Sequence, residues 1–134
     1  MKKLALILAL AALPVLANTN LFTKYESVRQ GLLKGSLADA QKNATALAAD
    51  AKAAKQTAVA EKAEAVAKAA DLKAARETFG ALSDEMLKIR EAAKGARPSV
   101  YYCPMVKKSW LQPKGEVGNP YDSAMEKCGM LKSE

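Results

Sequence analysis

One stretch of the sequence decides the fold: LKAARETFGALSDEMLKIREAAKGARP, residues 72–98. Its apolar residues recur at spacings of three and four, the period of an amphipathic α-helix. The apolar stripe consists of Leu72, Ala75, Phe79, Leu82, Met86 and Ile89. The pattern ends at Gly95 and Pro98, because glycine commonly follows a helix C-terminus and proline cannot continue a helix. The stretch therefore predicts the last helix of the chain and a boundary at Pro98.

Upstream of this stretch the pattern is also helical. A first apolar face is formed by Leu21, Phe22, Tyr25, Val28, Leu32 and Leu33. Gly35 ends that helix, and Ser36 with Asp39 forms a capping pair for the next one. Residues 38–75 are rich in alanine, which has the highest intrinsic helix propensity. Thr57 and Asp71 are candidate caps for a third and a fourth helix.

These patterns predict an all-α fold. We expect an up-and-down bundle of four helices at residues 18–97, with an irregular tail at residues 98–134 packed on it as part of one domain. The tail carries both cysteines, the only tryptophan and three of the four tyrosines. The alternative is a bundle of three helices, one of them long, because no glycine or proline interrupts residues 38–79.

The start of the chain resembles a secretory signal. Lys2 and Lys3 precede a short apolar run, and Val15-Leu16-Ala17 supplies small residues at a cleavage site. Because the apolar run is too short to span a bilayer, we expect residues 1–17 to be removed. The mature chain would then be soluble, without membrane insertion, in a compartment outside the cytoplasm where disulfides are permitted.

Charge and composition exclude several classes of function. The chain has 21 basic and 14 acidic residues and no histidine. The basic residues alternate with acidic ones and alanine along the whole chain, which is typical of a solvated helical surface and not of a nucleic-acid interface. Without histidine, a visible acid–base pair or a Cys-x-x-Cys motif, we do not expect an enzyme.

Sulfur is the chemical signal of the tail. Both cysteines lie in the same local frame, Cys103-Pro104-Met105 and Cys128-Gly129-Met130, and Met125 precedes the second cysteine by one turn. Thiolates and thioethers are soft ligands that select Cu(I) or Ag(I), and the imidazole-based sites for zinc and Cu(II) have no ligands here. The pattern predicts a soft-metal site formed by Cys103, Met105, Met125, Cys128 and Met130.

A structural disulfide is the alternative to the metal site. A bond between Cys103 and Cys128 would close a loop of about 25 residues and stabilise the fold by ~3–4 kcal/mol on the chain-entropy model. The methionines would then be gap-fillers in a core. In either case Trp110 is expected to anchor the tail to the bundle, Asn119 to stabilise a turn, and residues 99–102 to form a short strand. The sequence leaves open whether the two sulfurs hold a metal or each other.

The tail also carries a set of motifs that is similar to a known family. They are Tyr102-Cys103-Pro104-Met105, Trp110-Leu111, Asn119-Pro120-Tyr121, Met125 and Cys128-Gly129. Together they resemble a family of small bacterial periplasmic domains of uncharacterised function, which occur alone or fused to periplasmic adaptor subunits of copper/silver efflux pumps. The spacing of Arg76, Phe79, Leu82, Ser83 and Met86 resembles the last helix of that family, and Tyr25 with Leu32 resembles its first.

The resemblance implies a cellular compartment and a metal-handling function. It implies a periplasmic protein that buffers Cu(I) or Ag(I), or passes it to an efflux or resistance partner such as a pump adaptor. It implicates Cys103, Met105, Met125 and Cys128 at the metal, whereas Met130 is added from the repeated frame. The chain departs from the family at the basic loop 106–109, where relatives often carry a glycine-containing insertion. The alternative function is a disulfide-stapled helical module that binds a protein of the cell envelope.

Overall fold

The computed structural model describes residues 15–134, and residues 1–14 of the predicted signal lie outside the described part. The described chain forms four helices, a short 3-10 helix and three strands. The helices are α1 Val15–Leu33, α2 Leu37–Ala53, α3 Thr57–Ala67 and α4 Leu72–Ala92. The strands are β1 Ser99–Cys103, β2 Lys108–Gln112 and β3 Met130–Ser133, with the 3-10 helix at Ser123–Met125.

The prediction of an all-α fold is wrong, and the protein has an α+β fold. Residues 99–133, expected as an irregular tail, contain a three-stranded antiparallel sheet in the order β2-β1-β3. The predicted strand at residues 99–102 is its central strand, with Tyr101 opposite Trp110 on β2 and Tyr102 opposite Met130 on β3. A segment packed on a core must satisfy its backbone polar groups, and strand pairing does so here.

The helical part follows the sequence closely. Four helices are present, so the three-helix alternative is wrong, and consecutive helices pack against each other. Ser36 caps α2 by accepting from the Asp39 amide, and Asp71 caps α4 by accepting from the Ala74 amide. The third helix starts at Thr57, but its cap residue is Gln56, which makes no side-chain capping bond. In residues 15–134 no helix has the length and apolar character needed to cross a membrane.

One continuous core joins the helices to the sheet. Phe79 on α4 is fully buried together with Trp110 and Leu111 on β2. On α2 the core face is formed by Ala40, Ala44, Leu47, Ala48 and Ala51. The alanines of this face allow α1 and α2 to cross closely. The closeness is seen at Gly31 of α1, where a Cβ would lie 2.7 Å from the Ala40 amide nitrogen. The sheet is therefore held against the bundle by large aromatic residues, while the helices approach one another over alanine.

Candidate functional site

The two predicted sulfur ligands are brought together as a disulfide. Cys103 is the last residue of β1 and Cys128 lies just before β3, and their Cα atoms are 5.4 Å apart although 25 residues separate them in sequence. Cys103 is fully buried, whereas Cys128 is half-buried at the edge of the core. In this structure the sulfurs bind each other, as the alternative interpretation of the sequence expected.

The disulfide joins two tight turns, and each turn carries a methionine. In the first turn the Lys107 amide donates to the Cys103 carbonyl at 2.8 Å, and Met105 lies within the turn. In the second turn the Cys128 amide donates to the Met125 carbonyl at 2.8 Å. These backbone hydrogen bonds thus hold the backbone of Met105 and Met125 next to the bridged cysteines.

Exposure separates the methionines of the tail from an ordinary core methionine. Met86 on α4 is 0% exposed and fills the core. Met105 and Met130 are 67% and 49% exposed, and Met125 is intermediate. The gap-filler interpretation therefore holds for Met86 but not for Met105 and Met130, the two methionines that follow a cysteine by two residues.

Glycine is required between the second cysteine and its methionine. A Cβ at Gly129 would lie 2.7 Å from Trp110 Cη2 and 2.7 Å from Val117 Cγ1. Trp110 is fully buried, which confirms it as an anchor of the tail. The Asn119 side chain donates to the Cys128 carbonyl at 3.1 Å and accepts from the Tyr121 amide at 2.9 Å. Asn119 therefore stabilises its turn as predicted and also positions Cys128.

A buried arginine, which the sequence patterns did not single out, fixes the far end of β3. Arg90 of α4 is fully buried, and its Nε donates to the Pro98 carbonyl at 2.7 Å. Its Nη2 donates to the Glu134 carbonyl at 2.6 Å, and Nη1 pairs with Glu91 at 2.8 Å. Arg90 lies next to the apolar stripe of α4 in the sequence, and no local pattern predicts that it is buried or that it bonds residues at the end of the chain. These bonds tie the strand that begins at Met130 to α4.

A chain of hydroxyl groups, also missed from the sequence, lies between the helices and β2. The Tyr25 hydroxyl is 2.7 Å from Ser83 Oγ, which is 2.9 Å from the Tyr121 hydroxyl. The Leu111 amide donates to the Tyr25 hydroxyl at 3.2 Å, and the Tyr121 hydroxyl donates to the Ser109 carbonyl at 2.5 Å. Burial raises the pKa of both tyrosines above the usual value. The Tyr121 hydroxyl therefore lies in the interior of the protein.

The two lysines that follow the first turn have different surroundings. Lys108 lies opposite Cys103 in the sheet, and its ammonium group is 5.2 Å from the centre of the Tyr121 ring. Lys107 is exposed and has a left-handed backbone conformation, with φ of 56°. Of these two lysines, Lys107 is therefore the one with an exposed side chain.

Within residues 15–134 no three or more Cys, Asp or Glu side chains are grouped as a metal site. Comparison of the chain with family models, with curated proteins and with solved structures gives no match.

Proposed function

We propose that this protein binds Cu(I) or Ag(I) in the bacterial periplasm and buffers it or hands it to an efflux or resistance partner. The observation that carries the proposal is the exposure of Met105 and Met130 beside the paired cysteines. Exposing two large apolar side chains has a cost in water that burial would remove. Thioethers at the surface, next to two further sulfurs, are suited to a soft monovalent ion.

In this proposal the dithiol form is the high-affinity state. Opening the Cys103–Cys128 bond takes two electrons and two protons from a dithiol donor, which itself becomes a disulfide. Each thiol then releases one proton as it binds the metal, because the thiolate is the ligand. Met105, Met125 and Met130 complete the coordination as neutral donors.

Transfer to a partner follows from the difference between the two kinds of ligand. A thioether is a weaker donor than a thiolate, so an incoming sulfur of the acceptor displaces a methionine first. Met105 is the most exposed of these groups. The resemblance of the tail to domains associated with copper/silver efflux adaptors supports a periplasmic acceptor of that class.

A second candidate function is favoured by the disulfide itself. With both cysteines oxidised, the protein would be a stapled α+β module that binds another protein of the cell envelope and no metal. The buried Cys103 and the continuity of the core around it favour a structural role for the bond.

Competition for Cu(I) against a chromogenic chelator separates the two candidates. The wild type and the variants Cys103→Ser, Cys128→Ser and Met105→Leu are titrated without oxygen after reduction by a phosphine. Met86→Leu is the matched control, since Met86 is fully buried and leucine has a similar volume. We expect one tightly bound Cu(I), loss of most of the affinity in each cysteine variant, and a smaller loss in Met105→Leu. Equally weak binding by all five proteins would leave the stapled module as the better proposal.

A further inference from the structure

We infer that the disulfide-bonded protein is itself a binding form, which holds one soft monovalent cation through the thioethers of Met105, Met125 and Met130 without any thiolate. This inference rests on the proposed function and deepens it, because it assigns a ligand set to the oxidised state. The oxidised state has no cysteine ligand to offer, since both sulfurs are used in the Cys103–Cys128 bond.

The three methionines lie close to the bridged cysteines along the chain. Met105 and Met130 each follow a bridged cysteine by two residues, a stretch of chain that spans at most about 7 Å. Met125 is joined to Cys128 by the 2.8 Å hydrogen bond of a turn, and a turn keeps its end residues within about 7 Å. Each of the three methionine Cα atoms therefore lies within about 7 Å of a bridged cysteine Cα, and the two cysteine Cα atoms are 5.4 Å apart.

The strand pairing also brings Met130 near the disulfide. Met130 lies directly opposite Tyr102 on β1, and Tyr102 is followed by Cys103. Paired residues of an antiparallel ladder have Cα atoms about 4.5–5.5 Å apart. Met130 is thus close to Cys103 through the sheet and close to Cys128 along the chain.

Two of the three methionine side chains are accessible to an ion in solution. Met105 and Met130 are exposed, and methionine has three rotatable bonds that let its sulfur move toward a shared ion. The backbones that carry them are fixed by the disulfide, by the two turns and by the Arg90 bonds at the end of β3. Because the backbone is already fixed, only the methionine side chains lose conformational entropy when a three-coordinate site forms.

Most of the lysines close to the methionines in sequence are engaged elsewhere. Lys127 pairs with Glu116, the Lys132 ammonium lies 6.0 Å from the centre of the Tyr102 ring, and the Lys108 ammonium lies 5.2 Å from that of Tyr121, whereas Lys107 is exposed. Neutral thioethers do not favour a divalent or hard cation over water, whereas a soft monovalent ion is bound by polarisable sulfur. The oxidised site therefore selects Ag(I) or Cu(I) and discriminates against Zn²⁺ and Mg²⁺.

Native mass spectrometry with Ag(I) in chloride-free buffer tests the inference, because one spectrum reports both the thiol state and the bound metal. The oxidised wild type is compared with Met105→Leu, Met125→Leu, Met130→Leu, the triple variant and the control Met86→Leu. We expect one Ag(I) on the oxidised wild type and on Met86→Leu. Each single variant of the site should bind Ag(I) about 10- to 100-fold more weakly than the wild type. Removing an outer-shell partner of a metal ligand already causes a loss of that size. The triple variant should not bind.

The reduced proteins are measured in parallel, so that the two proposals fail separately. Binding by the reduced but not the oxidised wild type overturns the thioether site and leaves the proposed function intact. Absence of binding in both states overturns both. Undiminished binding by the oxidised triple variant also overturns the inference, because the ligands would then lie elsewhere.

Discussion

Replacing Ser83 by alanine tests whether the buried hydroxyl chain acts as one unit. The Leu111 amide donates to the Tyr25 hydroxyl, which shares a hydrogen bond with Ser83 Oγ. The Tyr121 hydroxyl donates to Ser83 Oγ and to the Ser109 carbonyl, which can only accept. Ser83→Ala therefore removes a buried hydrogen-bond partner from both tyrosine hydroxyls.

The expected loss follows from burial. Ser83 and Tyr25 are fully buried and Tyr121 is nearly so, so water cannot replace the lost bonds. An unsatisfied buried donor costs about 1–3 kcal/mol, and the deleted oxygen leaves a small void. We expect Ser83→Ala to lower the free energy of unfolding by about 2–3 kcal/mol.

Urea denaturation of the disulfide-bonded protein measures this loss, with Ser109→Ala as the matched control. Ser109 contributes only its carbonyl to the chain, so its side-chain deletion should change stability by less than about 0.5 kcal/mol. A double-mutant cycle of Ser83→Ala with Tyr121→Phe should give a coupling energy of about 1 kcal/mol. A Ser83→Ala loss equal to that of the control, or additive effects in the cycle, would refute the reasoning.

Four further outcomes are expected. Phe79→Ala should lower the free energy of unfolding by ~3–5 kcal/mol in denaturant, because Phe79 is fully buried and its ring centre lies 4.8 Å from that of Tyr25 and 5.9 Å from that of Tyr121. A loss below ~1 kcal/mol would contradict this. Gly129→Ala should destabilise by about 1–3 kcal/mol through overpacking, and an unchanged urea midpoint would show that the close contact is relieved without cost. Reduction of the Cys103 disulfide should cost ~3–4 kcal/mol, measured by urea unfolding with and without a phosphine. Because burial raises the folded-state pKa of Tyr25 and Tyr121, the contribution of these two residues to stability should be constant below the unfolded pKa of about 10 and fall as pH rises above it. Phenolate absorbance from these two residues should appear only with unfolding, and its appearance in the native protein would contradict the assignment.

The helices could be predicted from the sequence because their signals are local. The stripe on α4 and the caps at Ser36 and Asp71 each depend on residues within a few positions of one another. The third strand could not be predicted in this way. All four residues of β3 are exposed, so no alternation of apolar and polar residues marks the strand, and its pairing with β1 depends on residues about 30 positions away.

For the candidate site, the sequence singled out the two cysteines but not their state. The repeated Cys-x-Met frames drew attention to Cys103 and Cys128, which the structure joins, and Trp110 and Asn119 have the anchoring and turn-forming roles expected of them. Whether Cys103 and Cys128 bind each other depends on a distance between segments 25 residues apart, which no local pattern contains. The partners of Ser83 and Arg90 were missed for the same reason, because those contacts exist only after the sheet has packed on the helices.

The hydroxyl chain also has a consequence for folding. Its bonds connect residues 58, 86 and 38 positions apart in the sequence, and the chain of hydroxyl groups is complete only when α1, α4, β2 and the segment that carries Tyr121 have docked together. Loop-closure entropy must be overcome before any of these bonds forms. Cutting the chain at Pro98 would therefore not release an autonomous helical fragment. It would leave Tyr25 and Ser83 facing a missing partner, so the two parts of the molecule should gain and lose their structure in one cooperative step.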